Sequence, residues 1–161
     1  MLVPDPHQDA PRKQLYSLLG DLPPRDRQIS SKIVSRETTD KYVLEKLEID
    51  LNGMESVPAY VVLPREMPGK RVPAVVFNHS HGGKYKLGKN ELIKGNSYLQ
   101  EPTYAELFAR RGYVTIAIDH WLFGDRSGRT ESSLFKEMLW KGQVLWGMMV
   151  YDSIRAVDYL I

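Results

Sequence analysis

The segment AVVFNHSHGG, residues 74–83, decides how this chain of 161 residues is interpreted. Its first four residues are apolar without interruption, a pattern typical of a parallel strand that is covered on both faces. The polar, glycine-rich part follows where that strand would end, and loops at the carboxyl ends of strands bind ligands in α/β sheets. Two interpretations are open: a loop whose backbone N–H groups point at a reacting oxygen, or a glycine turn that the histidines merely hydrogen-bond.

A second apolar run, YVTIAI at residues 113–118, follows a predicted helix. Thr103 and Glu106 have the spacing of a capping box, and Gly112 stands where the helix would end. Together with the run at residues 74–77, they predict a strand–helix–strand unit with two parallel strands and a right-handed crossover.

The residues before this unit predict an antiparallel hairpin. Residues 47–51 (LEIDL) alternate between apolar and charged side chains, which predicts a strand with one face in water. The pair Asn52 and Gly53 favours a tight turn, and residues 59–63 (AYVVL) predict the second strand.

The first 40 residues are rich in proline and charge. Within them, KQLYSLL predicts a short helix, because Pro11 lies near its start and Gly20 just past its end. We interpret residues 1–40 as an amino-terminal arm or cap, and residues 41–161 as the domain itself.

Apolar residues recur at helical spacing over residues 131–160, which predicts a long helix. Gly142 and Gly147 are positions at which this helix can bend or pack closely. In an alternating α/β fold a strand should come next, but the sequence stops at Ile161. We therefore expect residues 41–161 to form an incomplete domain.

Composition and charge exclude several classes of protein. Hydrophobic residues make up 42% of the chain and charged residues 26%, which indicates a globular protein. The absence of cysteine excludes disulfides, thiolate metal sites and cysteine nucleophiles. The net charge of +2 does not favour a nucleic-acid partner. Because we find no secretory signal and no run long enough to span a membrane, we expect a cytoplasmic protein without a membrane partner.

The histidines permit a zinc site as an alternative. His79 and His81 form a His-x-His pair, and Asp119 and His120 end the next strand, so two histidines and a carboxylate could bind zinc. The His-x-His-x-Asp-His pattern of metallohydrolases fails, because Gly83 replaces its carboxylate. Zinc is therefore the less favoured interpretation, and we assign no metal.

A phosphate loop is a further alternative. Residues 83–90 (GKYKLGKN) match the pattern G-x-x-x-x-G-K-[ST] except at Asn90, which replaces the hydroxyl that would bind Mg²⁺. Residues 116–119 (IAID) resemble the apolar strand ending in aspartate that a nucleotide-binding protein needs. The lysines of this region, Lys89 included, are more simply interpreted as side chains of a solvated loop.

The second buried strand leads into another polar loop, DHWLFGDR at residues 119–126. Asp125 and Arg126 can pair and brace this loop, or Arg126 can bind an anionic group of a substrate. We favour the first interpretation, in which Asp125 and Arg126 brace the loop. Ser127 is one place late for a G-x-S-x-G motif and has no strand before it, so we interpret it as a turn residue.

In order and spacing these elements resemble the first half of an α/β-hydrolase, in the branch of dienelactone-hydrolase-like and acetyl-xylan-esterase-like proteins. The resemblance covers residues 13–161 and rests on SVPAYVVLP, PAVVFNHSHGG, YAELFARRGYVTIAIDHWLFGDR and FKEMLWKGQVLWGMMVYDSIRAVDYL. It implies an α/β fold in which an antiparallel β-hairpin leads into a parallel sheet with flanking helices. It also implies that the sequence ends before the strand that carries the nucleophile.

The resemblance implies a serine-dependent carboxylic ester hydrolase that forms an acyl-enzyme and needs no metal or organic cofactor. The Ser–Asp–His triad would lie outside these 161 residues. The motif that carries over is the oxyanion loop, in which the backbone N–H of Gly83, helped by Gly82, would bind the developing oxyanion. The nearby side chains are interpreted as supports of the loop or as substrate-side residues: His79, His81, Asp119, His120, Asp125 and Arg126.

Two functions from different classes follow. The chain would be the amino-terminal part of an ester hydrolase, inactive alone, whose full-length form acts on a small-molecule ester. Alternatively, it would be a non-catalytic module that self-associates or pairs with a missing carboxyl-terminal half. The second function is motivated by the family's sheet order, in which strand 74–78 lies beside the nucleophile strand and would be left as a bare apolar edge.

Overall fold

Five strands form one mixed sheet in a computed structural model that describes residues 6–67, 69, 71–80 and 82–161. The order of the strands in the sheet is β1-β2-β3-β5-β4. Their bounds are β1 Ser30–Thr38, β2 Val43–Asp50, β3 Val57–Leu63, β4 Ala74–Val76 and β5 Val114–Ile118. The last two strands are parallel, so their carboxyl ends lie at the same edge of the sheet.

The first three strands form an antiparallel meander. In β2, Leu47 and Ile49 are buried whereas Glu48 between them is exposed, as the alternation predicts. The pairing of β2 with β3 confirms the predicted antiparallel pair. The sequence analysis did not predict β1, because nearly all of its residues are exposed and its sequence therefore lacks apolar alternation. Residues 30–38 of the predicted arm thus belong to the sheet.

The predicted strand–helix–strand unit is confirmed. β4 and β5 are parallel and joined by helix Tyr104–Arg110, and the N–H of Phe77 extends their pairing by donating to Ile116 O at 2.8 Å. The Thr103 hydroxyl caps the helix by accepting from the N–H of Glu106. Within the described residues β4 pairs with β5 alone, so β4 is an edge strand.

Helices cover both faces of the sheet. On one face Ala156, Tyr159 and Leu160 pack against the strands, and on the other Leu92 and Ala105 do so. This three-layer arrangement is the α/β architecture that the sequence predicts. The helices are α1 Pro6–Ser17, α2 Glu91–Lys94, α3 Tyr104–Arg110, α4 Glu131–Trp140 and α5 Leu145–Leu160. In the described part of the chain, no helix has the length and apolar character needed to cross a bilayer.

The helical pattern of residues 131–160 forms two helices rather than the single one predicted. The chain breaks at Gly142, whose φ of +71° is accessible to glycine without strain. The carbonyl of Gly142 accepts from the N–H of Asp21 at 2.9 Å. Gly147 lies inside α5, where the carbonyl of Leu19 packs so closely that a Cβ would collide with it. Both glycines therefore hold the segment that follows α1 against the α4–α5 corner.

A separate apolar cluster joins α4 and α5 to the loop that follows β5. In this cluster Trp121 packs with Leu134 and Met138 of α4 and with Leu145 and Met148 of α5. The packing fixes the amino-terminal half of α5 beside the carboxyl ends of β4 and β5, where the site described next is found.

Candidate functional site

A cavity of about 740 Å³ lies at the carboxyl ends of β4 and β5. The loops that follow these strands form one side of the cavity, and α5 contributes Trp146, Met149 and Val150. Four polar residues line it beside the strand ends: Asn78, His79, His120 and Ser153. The position of the cavity agrees with the expectation that a ligand loop follows β4.

His79 is buried and its ring is held by the backbone on both sides. Its Nε2 accepts from the N–H of His120 at 3.2 Å, so its Nδ1 carries the proton and donates to the carbonyl of Ser80 at 3.3 Å. Burial lowers the pKa of His79 below its ordinary value. The imidazole is therefore neutral and joins the two loops.

His120 lies beside His79, with 5.0 Å between the ring centroids. Its Nε2 is 3.2 Å from Oδ1 of Asn78, and the hydroxyl of Ser153 donates to the same oxygen at 3.0 Å. Burial, helped by the neighbouring His79 and Arg126, lowers the pKa of His120 to about 4. Nδ1 of His120 is buried and has no hydrogen-bond partner in the described structure. Both histidines of the cavity are therefore uncharged at neutral pH.

The carboxylate of Asp119 connects the two loops that follow β4 and β5. It is fully buried and accepts from the backbone N–H of Lys89 at 2.7 Å and from that of Asp125 at 2.9 Å. Nζ of Lys89 lies 2.6 Å from Asp119 and 2.5 Å from Asp125. Burial alone would lower the pKa of Lys89, but the hydrogen bonds that its ammonium donates to both carboxylates outweigh this effect and raise that pKa.

Two glycines allow the loops to approach Asp119 this closely. Gly88 has φ +49° and Gly124 has φ +53°, and a Cβ on either would collide with the Asp119 carboxylate. The interpretation of Lys89 as a solvated or phosphate-binding lysine is wrong, because only 3% of its side chain is exposed and it is bound to Asp119. Gly88, the second glycine of the apparent phosphate loop, leaves the space in which this ion pair forms.

Arg126 braces the loop after β5, but not by pairing with Asp125. Its guanidinium donates to Glu55 at 2.6 Å, to Asp152 at 2.9 Å and to the carbonyl of Asp119 at 2.9 Å. Burial raises the pKa of Asp152, and the charge of Arg126 opposes that rise. The expected Asp125–Arg126 pair does not form because each side chain has a closer partner on another element.

A second carboxylate, that of Glu91, holds the loop directly after β4. It accepts from the N–H and from the hydroxyl of Ser80, both at 2.6 Å, and from Asn96 and Tyr98. Burial alone would raise the pKa of Glu91, but these hydrogen bonds outweigh it, and the pKa is below its ordinary value. Glu91 is therefore ionised at neutral pH and fixes the start of the predicted oxyanion loop.

The glycines of the predicted oxyanion loop both have positive φ, +45° at Gly82 and +74° at Gly83. A Cβ on Gly82 would collide with Tyr98, whereas a Cβ on Gly83 would meet open space. Gly83 lines a second cavity of about 420 Å³ with residues 84–87, beside the large cavity. His81, which the sequence analysis also singled out, lies outside the described residues.

A zinc site is not formed by the residues for which we can describe positions. No group of three or more histidine, aspartate or glutamate side chains among them is placed to bind one ion. Asp119 was the carboxylate of that alternative, and its oxygens are occupied by Lys89 and by two backbone N–H groups.

Sequence reasoning missed the partners that hold these loops. Lys89 was assigned to solvent, and Asn78, Glu91, Asp152 and Ser153 were not considered as site residues. Asp152 and Ser153 lie in an amphipathic helical pattern that predicts core and surface positions but no contact with a distant loop. Position 152 lies on the buried face of this helix, where an apolar residue is expected. The aspartate there was therefore the signal in the sequence that pointed to a buried polar contact.

Comparisons with known proteins identify the fold. Over 149 residues the chain is 52% identical to YtaP of Bacillus subtilis (strain 168), a provisionally assigned hydrolase. The match covers 92% of this chain and 49% of YtaP, so the chain spans about half the length of that curated relative. No protein-family model matches the sequence.

Among solved structures, a provisionally assigned acetyl xylan esterase from Bacteroides fragilis superposes with a TM-score of 0.68 at 20% identity. The match covers 94% of this chain and 42% of that one. The chain has the α/β-hydrolase fold. A glucuronoyl esterase from Solibacter usitatus matches with a TM-score of 0.44 at 13% identity, over 85% of this chain and 50% of its own.

The buried ion pair between Lys89 and Asp119 leads to a first prediction. Asp119→Asn removes the buried carboxylate and leaves the Lys89 ammonium with the exposed Asp125 alone, which we expect to lower the free energy of unfolding by about 3–5 kcal/mol. Asp125→Asn is the matched control: it removes the other carboxylate on the same ammonium, but 70% of that side chain is exposed, so the expected loss is about 0–1 kcal/mol. Urea denaturation of the two variants measures the difference, and equal losses would contradict the assignment.

The low pKa of His120 leads to a second prediction. Because the imidazole is protonated in the unfolded chain below pH 6.5 but in the folded protein only below about pH 4, stability falls as the pH falls through this window. The shift corresponds to a loss of about 3 kcal/mol. His120→Gln should remove that loss while the carboxylates titrate as before, so the difference between the two stability curves isolates His120. An NMR titration in which the His120 ring is protonated at pH 6 would disprove the assignment.

Proposed function

We propose that the chain is the amino-terminal part of a serine-dependent carboxylic ester hydrolase. The observation that supports this most directly is the cavity at the carboxyl ends of β4 and β5, where apolar side chains of α5 face two neutral histidines, with Lys86, Arg129 and Glu131 also in the lining. Cavities at this edge are where α/β folds bind substrates. A neutral small-molecule ester, with one carbonyl and an apolar remainder, suits such a lining.

In the proposed reaction a serine outside this chain attacks the ester carbonyl, and the alcohol leaves as the acyl-enzyme forms. This chain supplies the wall of the cavity and the loop from Asn78 to Gly83. The N–H of Gly83, with Gly82, is the proposed donor to the oxyanion. In the described residues no serine hydroxyl is hydrogen-bonded to a histidine ring, since Ser80 contacts Glu91 and Ser153 contacts Asn78. We accordingly assign no nucleophile to this chain.

Reconstitution tests this proposal. The 161-residue chain should not hydrolyse 4-nitrophenyl acetate above a heated sample, and a fluorophosphonate probe should not label it. Mixed with the part of YtaP that it does not match, it should gain both activities. Hydrolysis by the isolated chain, or stoichiometric labelling of one of its serines, would show that the nucleophile lies within it.

In the reconstituted protein, Gly83→Pro removes the proposed backbone donor and should lower kcat by about 10²–10³. Gly83→Ala is the matched control because it keeps the N–H and places its Cβ in open space, although at a positive φ. We expect the alanine variant to retain most of kcat. Equal kcat for the proline variant and the unaltered protein would exclude the role of Gly83.

A second candidate function is association through the β4 side of the fold. Ala74 of the edge strand is exposed, and α4 and α5 expose Trp140 (91%) and Trp146 (75%). An edge strand offers backbone N–H and C=O groups, and apolar surface of this kind favours contact with another chain. We propose that a second copy pairs with this edge strand and contacts these exposed apolar side chains when the chain is alone.

We expect the isolated chain to elute as an oligomer in size-exclusion chromatography with light scattering, and to bind the dye ANS. Ala74→Lys places a charge on the edge and should shift the population toward the monomer. Thr38→Lys adds the same single charge at an exposed position of β1, the opposite edge strand, and controls for the change in net charge. A monomer of 18.5 kDa that binds no dye would contradict this second function.

A further inference from the structure

The side chain of Asn78 lies at the point where β4 opens into the large cavity. It is the first of the polar residues after the strand, it is exposed, and it lines that cavity. We infer that its amide NH₂ is a hydrogen-bond donor to the carbonyl oxygen of a bound ester. The inference rests on the proposed function for the identity of the ligand, but its geometric argument does not involve Gly83.

The oxygen of the Asn78 amide is held by two donors from different elements. The hydroxyl of Ser153 in α5 lies closer to Oδ1, at 3.0 Å, than to the carbonyl of Met149, at 3.2 Å, and Nε2 of His120, after β5, is 3.2 Å from Oδ1. A carbonyl oxygen has two lone pairs, so these two bonds complete its capacity. The amide is therefore oriented by contacts on both sides of the cavity rather than free to rotate.

The choice between the two orientations of the amide follows from His120. If Oδ1 accepts from Nε2, the buried Nδ1 of His120 is an unprotonated acceptor without a partner. If the amide were turned round, Nδ1 would instead be a buried N–H without a partner, which is the rarer and more costly arrangement.

This orientation turns the NH₂ of Asn78 away from Ser153 and His120. Within the described residues the NH₂ donates to no protein acceptor, whereas the amides of Asn52 and Asn96 both donate to carboxylates. A donor that is oriented in advance and has no internal partner stabilises negative charge on a substrate oxygen without reorganising. The bound carbonyl oxygen accepts this bond, and the bond strengthens as that oxygen gains charge.

The two proposed donors line different cavities. Asn78 lines the large cavity together with the histidines, whereas Gly83 lines the smaller one with residues 84–87. A ligand whose apolar part occupies the large cavity therefore meets the amide of Asn78 directly. This difference makes the inference separable from the role of Gly83.

The test is ligand binding to the ¹⁵N-labelled 161-residue chain, with ethyl butanoate as the probe. The NH₂ signals of Asn78, assigned by their absence from Asn78→Asp, should shift saturably during the titration. Asn78→Asp keeps an oxygen for both Ser153 and His120 and replaces the NH₂ by a second oxygen, which also adds a negative charge. It should weaken ester binding by about 3–10-fold, the effect of one neutral hydrogen bond. Asn78→Ala should weaken it to a similar extent, which covers the case in which the aspartate variant folds poorly.

Two controls isolate the carbonyl contact. Ethyl butyl ether has a similar shape but no carbonyl, so its affinity should be the same for the unaltered chain and for Asn78→Asp. Ser132→Ala changes an exposed serine of α4 that does not line the cavity, and it should leave ester affinity within about twofold. Equal loss of ester and ether binding, an unshifted NH₂ signal at saturation, or no saturable ester binding would each overturn the inference.

The reconstituted protein separates this inference from the proposed function. Ester hydrolysis with unchanged kcat/KM in Asn78→Asp would overturn the role of Asn78 while the hydrolase proposal stands. Asn78-dependent ester binding without any hydrolysis after reconstitution would overturn the hydrolase proposal and leave the donor in place.

Discussion

The carboxylate of Asp119 is the group on which the two loops at the carboxyl ends of β4 and β5 depend. It is fully buried, and its charge is compensated by the ammonium of Lys89 and by two backbone N–H groups. A buried charge without such partners would cost several kcal/mol of stability. The loop that carries Lys89 therefore cannot move away from Asp119 without a large loss of free energy. One side chain therefore sets the distance between the loops and, with it, the shape of the cavity.

Two charged side chains near the strand ends, those of Arg126 and Glu91, are each bound by other residues of the protein. Arg126 is bound by Glu55 and Asp152, and Glu91 is surrounded by four donor groups. The two histidines that face the cavity are neutral because burial disfavours their charged form. The polar groups at the strand ends, those of Asn78, His79, His120 and Ser153, are thus neutral, whereas Lys86, Arg129 and Glu131 line other parts of the cavity.

The backbone around the cavity also departs from the usual pattern at one position. Among the described residues, Leu122 is the one non-glycine residue with a positive φ, +72°, and it lines the cavity. A leucine in this conformation costs about 1–2 kcal/mol relative to the right-handed region. Its side chain packs against the cluster that joins α4 and α5, and this packing offsets the strain.

The types of the main elements were predictable from the sequence because their signals are local. The alternation of residues 47–51, the apolar runs at 74–77 and 113–118 and the cap at Thr103 each depend on neighbouring residues, and each predicted the right element. The location of the site was predictable for the same reason, since loops at the carboxyl ends of parallel strands share one edge of the sheet. The strand β1 was missed because an exposed strand has no apolar period.

The tertiary structure alone decided which polar groups meet. Lys89 and Asp119 are 30 residues apart, Arg126 and Asp152 are 26 apart, and Asn78 and Ser153 are 75 apart. In the sequence each of these side chains is equally compatible with solvent, with an ion pair or with a ligand. Burial and distance distinguish these roles, because the strength of a charged or hydrogen-bonded contact depends on what excludes water around it. The sequence by itself thus determined the layers of this fold and the edge at which the candidate site lies, whereas only the packing of its loops decided which residues support the cavity and which line it.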